Sequence, residues 1–74
     1  MTLQPWQERV IEEKEQLGER LQKLNTFLTT QQCLDLPFDE RCLLVRQANA
    51  MEQYYDILLD RIERFFETAT TKGA

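Results

Sequence analysis

The chain has 74 residues, and thirteen acidic against nine basic side chains give a net charge of −4. One domain is the most this length holds, and a domain this small hides only about 60% of the surface its unfolded chain exposes, so it needs a staple or a partner. The arginines are interleaved with Glu and Asp, which excludes the basic patch of a nucleic-acid binder; with two cysteines and no histidine a Cys/His zinc site cannot be built.

The opening "MTLQPWQERV" is polar and charged, with no apolar signal-like core. No apolar run approaches the roughly 20 residues that span a bilayer, so membrane spanning is excluded. The expectation is a cytosolic protein with reduced thiols and Cys42 a small core residue, although a Cys33–Cys42 disulfide is conceivable.

Helix one is predicted over about residues 5–29. Pro5 suits a first helical turn, and Glu8 there is favourable to the helix dipole. Val10, Leu17 and Leu24 form one apolar column at sevenfold spacing, and Lys14, Leu21 and Leu28 the next, with the Lys14 stem lying along the surface. Trp6 and Phe27 end a third column with a charged middle. Gly18 costs about 1 kcal/mol inside a helix. It either admits a bulky residue such as Tyr55 from across the hairpin or is simply tolerated.

"TTQQCLDLP" breaks the pattern, giving a connection over about 30–36. Thr29 and Thr30 are expected to end helix one, and Asp35 or Leu36 to cap helix two over about 37–67, with Asp39 and Glu40 in its first turn. The closing "TATTKGA" (68–74) reads as a frayed tail. The fold class is therefore all-α: an antiparallel two-helix hairpin.

The two helices are mismatched. In helix two, Leu44, Met51, Leu58 and Phe65 fill one column, and Ala48, Tyr55 and Ile62 its neighbour. Leu43, Ala50, Ile57 and Tyr54 lie on one flank; Val45, Leu59 and Phe66 lie on the other. This arc covers roughly 200°, about twice what a surface helix needs. A narrow helix one cannot cover it, so one face stays in water, and large apolar patches mark interfaces. Two-fold self-association into a four-helix bundle is the simplest remedy. The expected core and self-association residues are Leu17, Leu21, Leu24, Leu43, Leu44, Ala48, Met51, Tyr55, Ile57, Leu58, Ile62 and Phe65.

Catalysis finds no footing. There is no His or Ser, no phosphate-binding loop, and no base near either Cys in sequence. The carboxylates lack the Glu-x-x-His of di-iron bundles and alternate with Lys and Arg as on a solvated face. The expectation is a non-enzymatic protein with no cofactor and no metal. Trp6 is expected beside Phe65 or Phe66, closing the hairpin's open end. Tyr54 lies between Gln47 and Arg61. Trp6, Tyr54 and Arg61 are the candidate partner contacts.

The segments "ERVIEEKEQLGERLQKLNTFL" and "LPFDERCLLVRQANAMEQYYDILLDRIERF" resemble a family of very short phage and prophage proteins. It includes the lambdoid early proteins encoded between the exonuclease and excisionase genes. The matching positions are Arg9, Val10, Glu13, Leu17, Leu21, Leu24 and Phe27, then Leu43, Leu44, Gln47, Met51, Tyr55, Leu58, Arg61 and Ile62. Coverage runs from residue 6 to 66; Gly18 departs from the Asp or Asn of the pattern. The resemblance implies a dimer-forming helical hairpin made early in infection, acting on host physiology or on the lysis–lysogeny choice. The functional expectation is a homodimer or higher assembly that binds a host protein by occupancy. The alternative is an oligomeric sponge for a small nucleotide signal of host defence, with Arg and Tyr side chains meeting across a subunit interface.

Overall fold

The computed structural model describes residues 2–67; the tail expectation for 68–74 lies outside them. Helix α1 (Pro5–Phe27) and helix α3 (Phe38–Glu67) run antiparallel, joined through a four-residue helix α2 (Gln31–Leu34). The described chain measures 52 × 23 × 16 Å, a long, thin hairpin.

Helix α1 starts as Pro5 dictates, with the proline in its first turn and Glu8 beside the dipole's positive end. Gln4 precedes it in extended conformation, and its N–H donates to Gln7 Oε1 at 2.7 Å, so the first turn holds its own entry strand. The helix ends two residues before the expected boundary. Thr29 Oγ1 donates to the Thr26 carbonyl at 2.7 Å and Thr30 Oγ1 to the Phe27 carbonyl at 2.6 Å. Threonine hydroxyls reach back to free carbonyls in this way and end the helix.

The connection is more ordered than a plain loop. Thr30 also accepts from the Cys33 N–H at 3.2 Å, so one hydroxyl closes α1 and caps α2. Asp35 does not cap the second long helix; it is the C-cap of α2, where its carboxylate accepts from Gln31 Nε2 at 3.0 Å. Leu36 does not cap it either. The first hydrogen bond of α3 runs from Arg41 N–H to the Pro37 carbonyl at 3.0 Å, and Leu36 offers its own carbonyl to Arg41 Nε at 3.3 Å. The helical signal in "QQCL" was too short to read from periodicity.

Helix α3 contains neither Gly nor Pro in 30 residues and carries Asp39 and Glu40 in its first turn and Arg64 in its last. Its middle meets the middle of α1. Val10, Leu17 and Leu58 are buried together, Leu58 at 1% exposure, with Met51, Tyr55, Ile62 and Phe65 packed around them. Ala48 and Cys33 are also buried. Leu21, Leu24 and Leu44 are half-buried along the same seam.

Cys42 is not the core residue expected. Cys33 is the buried one, Cys42 is exposed, and both are free thiols. The reason is that α2 folds its Cys33 inward, whereas Cys42 shares the outer column of α3 with Asn49, Asp56 and Glu63, all exposed.

Gly18 answers one open question. A Cβ built on it would lie 3.0 Å from Tyr55 Cε1, so the glycine makes room for the ring. Among the described residues, no helix is long and apolar enough to cross a membrane.

Candidate interaction surfaces

Around α3 the covered strip holds Leu44, Ala48, Met51, Tyr55, Leu58, Ile62 and Phe65, and α1 covers nothing beyond it. Two uncovered flanks remain. On the first, Leu43 is 53% exposed, Tyr54 43% and Ile57 56%. Leu43, Ala50, Ile57 and Arg64 form one heptad column of this flank, and Gln47, Tyr54 and Arg61 the other. No carboxylate interrupts either column between Leu43 and Arg64.

The second flank is built differently. Phe38, Val45, Leu59 and Phe66 are all exposed there, but Glu52 sits in the middle of their column. Asp56 and Glu63 border it. One flank of α3 is thus apolar with a basic end, and the other is apolar with an acidic margin. At the start of α3 the Arg41 guanidinium lies 5.6 Å from the Phe38 ring centre, a cation–π pair that partly occupies that ring.

At the open end of the hairpin Trp6 meets Phe65. The ring centres are 5.3 Å apart and the planes cross at 86°, the edge-to-face geometry that aromatic quadrupoles favour. A cavity of about 380 Å³ opens beside this pair, lined by Trp6, Gln7, Arg61, Arg64 and Phe65. Neither Arg61 nor Arg64 has a hydrogen-bond or ion-pair partner among the described residues. The Asp60–Arg64 spacing permits an i,i+4 pair but does not close one.

A second hollow, of about 480 Å³, lies beside the Gly18–Tyr55 contact, with Gln22, Asn25, Thr26 and Thr29 on its rim.

The structure thus separates the sequence-derived residues. Leu17, Ala48 and Leu58 are buried. Leu21, Leu24, Leu44, Met51, Tyr55, Ile62 and Phe65 are half-buried between the helices. Leu43 and Ile57 stand outside the hairpin's own core. Trp6 and Arg61 share one cleft, while Tyr54 lies on the first flank with no share in that cleft. Arg64 and Gln7 were missed as cleft residues. The available signal was the Arg61–Arg64–Phe65 spacing, which puts both cations and a ring on adjacent turns near a helix end. No group of three or more potential metal ligands forms among the described residues.

A protein-family model described as Sequestin matches residues 4–64. No curated protein and no solved structure matches the chain.

Proposed function

This chain belongs to the Sequestin family, and from that premise we propose that it works without catalysis, by self-associating and holding a target out of circulation. The observation that carries the reading is the uncovered first flank of α3: Leu43 and Ile57 exposed in one column and Tyr54 in the next, with no carboxylate in either column between Leu43 and Arg64. A second copy is its occupant. Two hairpins meeting there, α3 against α3, form a four-helix bundle with α1 outside. Leu43 and Ile57 are about half exposed, so burying what remains of each contributes about 1–1.5 kcal/mol per side chain before the cost of association.

The target of the first reading is a host protein, and the chain is the product of a phage or prophage. The second flank fits such a partner, because Val45, Leu59 and Phe66 offer apolar anchors and Glu52, Asp56 and Glu63 a margin for basic side chains. The mechanism is occupancy: a rigid bundle covers a surface that the host protein needs.

A second reading, sequestration of a small nucleotide, is favoured by the Trp6–Arg61–Arg64 cleft. The family name, Sequestin, suits either target.

The test is native mass by light scattering on a size-exclusion column across a range of concentrations. A dimer or larger is expected for the parent chain, with Ile57→Asp reduced to a monomer of unchanged helicity. A parent chain that stays monomeric throughout sinks the self-association.

A further inference from the structure

The second flank of α3 has a symmetry that the first lacks. Its column is Phe38, Val45, Glu52, Leu59 and Phe66, so a carboxylate stands at the centre with an aliphatic side chain one heptad away on each side and a phenyl ring two heptads away. The apolar members run from 40% exposed at Leu59 to 68% at Phe38. Anchors seven residues apart lie about 10.5 Å apart along the axis, the distance at which another helix repeats its own seam. An extended strand repeats a face about every 6.8 Å and falls out of step with them. The face fits a helix.

Its charge is one-sided. Asp56 and Glu63 stand in the next column of α3 outward. On the other side lies α1. Gly18 packs on Tyr55, whose column borders the flank, and one column further out on α1 stand Glu8 and Glu15, both exposed. Neither these four carboxylates nor Glu52 has an ion-pair partner among the described residues. Arg41, in the Tyr55 column, is engaged at the far end, against the Phe38 ring and the Leu36 carbonyl. The acidic stretch thus runs from Val45 to Phe66.

The centre of this face opposes self-pairing. Two copies meeting there in full overlap, parallel or antiparallel, set Glu52 against Glu52. A slip of one heptad sets Glu52 against Val45 or Leu59 instead, which buries a carboxylate without a partner and gives up an anchor at the end. An unpaired buried charge costs more than a buried aliphatic side chain returns. The first flank carries no such obstacle.

We propose that the second flank binds a helix of a partner protein whose apolar seam is interrupted at its centre by one Lys or Arg, with apolar residues one heptad to either side. The central cation meets Glu52 between the Val45 and Leu59 anchors. Basic residues along the edges of that helix meet Asp56 and Glu63 on one side and Glu8 and Glu15 on the other. A polar pair inside an apolar seam fixes register, so the chain takes such a helix in one position and discriminates against seams without the cation. The proposal rests on the host-protein reading and names the chemistry of the partner.

The experiment uses the full chain and a synthetic amphipathic peptide of about 28 residues, long enough to cover α3 from Val45 to Phe66, with leucines in its seam and one lysine at the centre. Calorimetry is run where the peptide alone is monomeric. Saturable binding is expected, weakening as salt is added. An isomer of the same composition, with the lysine exchanged for an alanine from the outer face, binds roughly tenfold or more weakly. Glu52→Lys, at an exposed position, keeps the helicity, loses the lysine-centred peptide and takes up a glutamate-centred one.

Equal binding of the two isomers, or a Glu52→Lys chain with the preference of the parent, overturns the proposal and leaves the flank to a host partner of another pattern. The native mass of Leu59→Asp beside that of the parent separates the remaining failures. An assembly that shrinks gives the flank to a second copy, and both the proposal and the host-protein reading of this face fall. No binding of any peptide, with the mass unchanged, overturns the helix alone.

Discussion

Gly18→Ala is the substitution whose effect the structure determines most closely, because two opposing terms are visible. Alanine in a helix interior is favoured over glycine by about 1 kcal/mol. Against this, the new Cβ would lie 3.0 Å from Tyr55 Cε1, with Cζ at 3.6 Å and the hydroxyl oxygen at 3.7 Å. Carbon atoms pack best at about 3.5–4.0 Å, so the ring must retreat by about half an ångström. Tyr55 is half-buried against the Val10–Leu17–Leu58 core, and the hollow beside it gives the ring somewhere to go at the expense of those contacts.

Forcing a methyl into such a place costs about 1–3 kcal/mol, so the net expectation is a loss of about 1 kcal/mol. In a domain of this size that lowers the melting temperature by about 4–8 °C. In a Tyr55→Leu background the ring is gone, and the same alanine should stabilise by about 1 kcal/mol. The coupling between the two sites is then about 2 kcal/mol. Urea unfolding followed by far-UV circular dichroism, at one fixed protein concentration, measures all four corners of the cycle. An alanine that stabilises both backgrounds equally would refute the argument that Gly18 exists to admit Tyr55.

Leu58→Ala, at the residue 1% exposed, should cost about 2–5 kcal/mol and leave the chain largely unfolded at room temperature by circular dichroism. Ile57→Asp, one residue away but 56% exposed, should leave the hairpin's helicity intact in the same measurement and act only on assembly. Thiol titration should find Cys42 reacting at once and Cys33 only as the protein unfolds; early modification of both would mean that α2 does not hold Cys33 inside. Thr30→Ala removes the hydroxyl that ends α1 and caps α2, at a cost of about 1 kcal/mol by denaturant unfolding.

How much of this was legible in the sequence depends on length of pattern. The heptad columns of the two long helices placed the covered strip of α3 correctly, because their apolar spacing extends over many turns. The Trp6–Phe65 closure followed from antiparallel pairing alone. What escaped was short or local. Four residues of α2 carry no period, so its inward Cys33 was not foreseen, and Cys42 was mistaken for a core residue on the strength of its residue type. Asp35 looked like a cap for α3 because it precedes a helix, yet it also follows one. The cleft was only half visible: Arg64 is the charged end of the Leu43–Ala50–Ile57 column, and a column count assigns such an end to solvent without asking whether two cations converge on a ring.

The ends of the hairpin are also unequal in the order in which their contacts form. At Thr30 the chain turns through bonds between residues a few positions apart, which close fast and cost little loop entropy. Trp6 and Phe65, at the other end, are joined by the longest loop of any ring contact described. The molecule is a zipper with its stop at Thr30 and its free end at the ring pair. Amide hydrogen exchange should therefore quicken from the hinge side of the core toward that free end. The cleft lies at the end that unzips first, so whatever binds there holds the two helices together at the place where the chain itself holds them least.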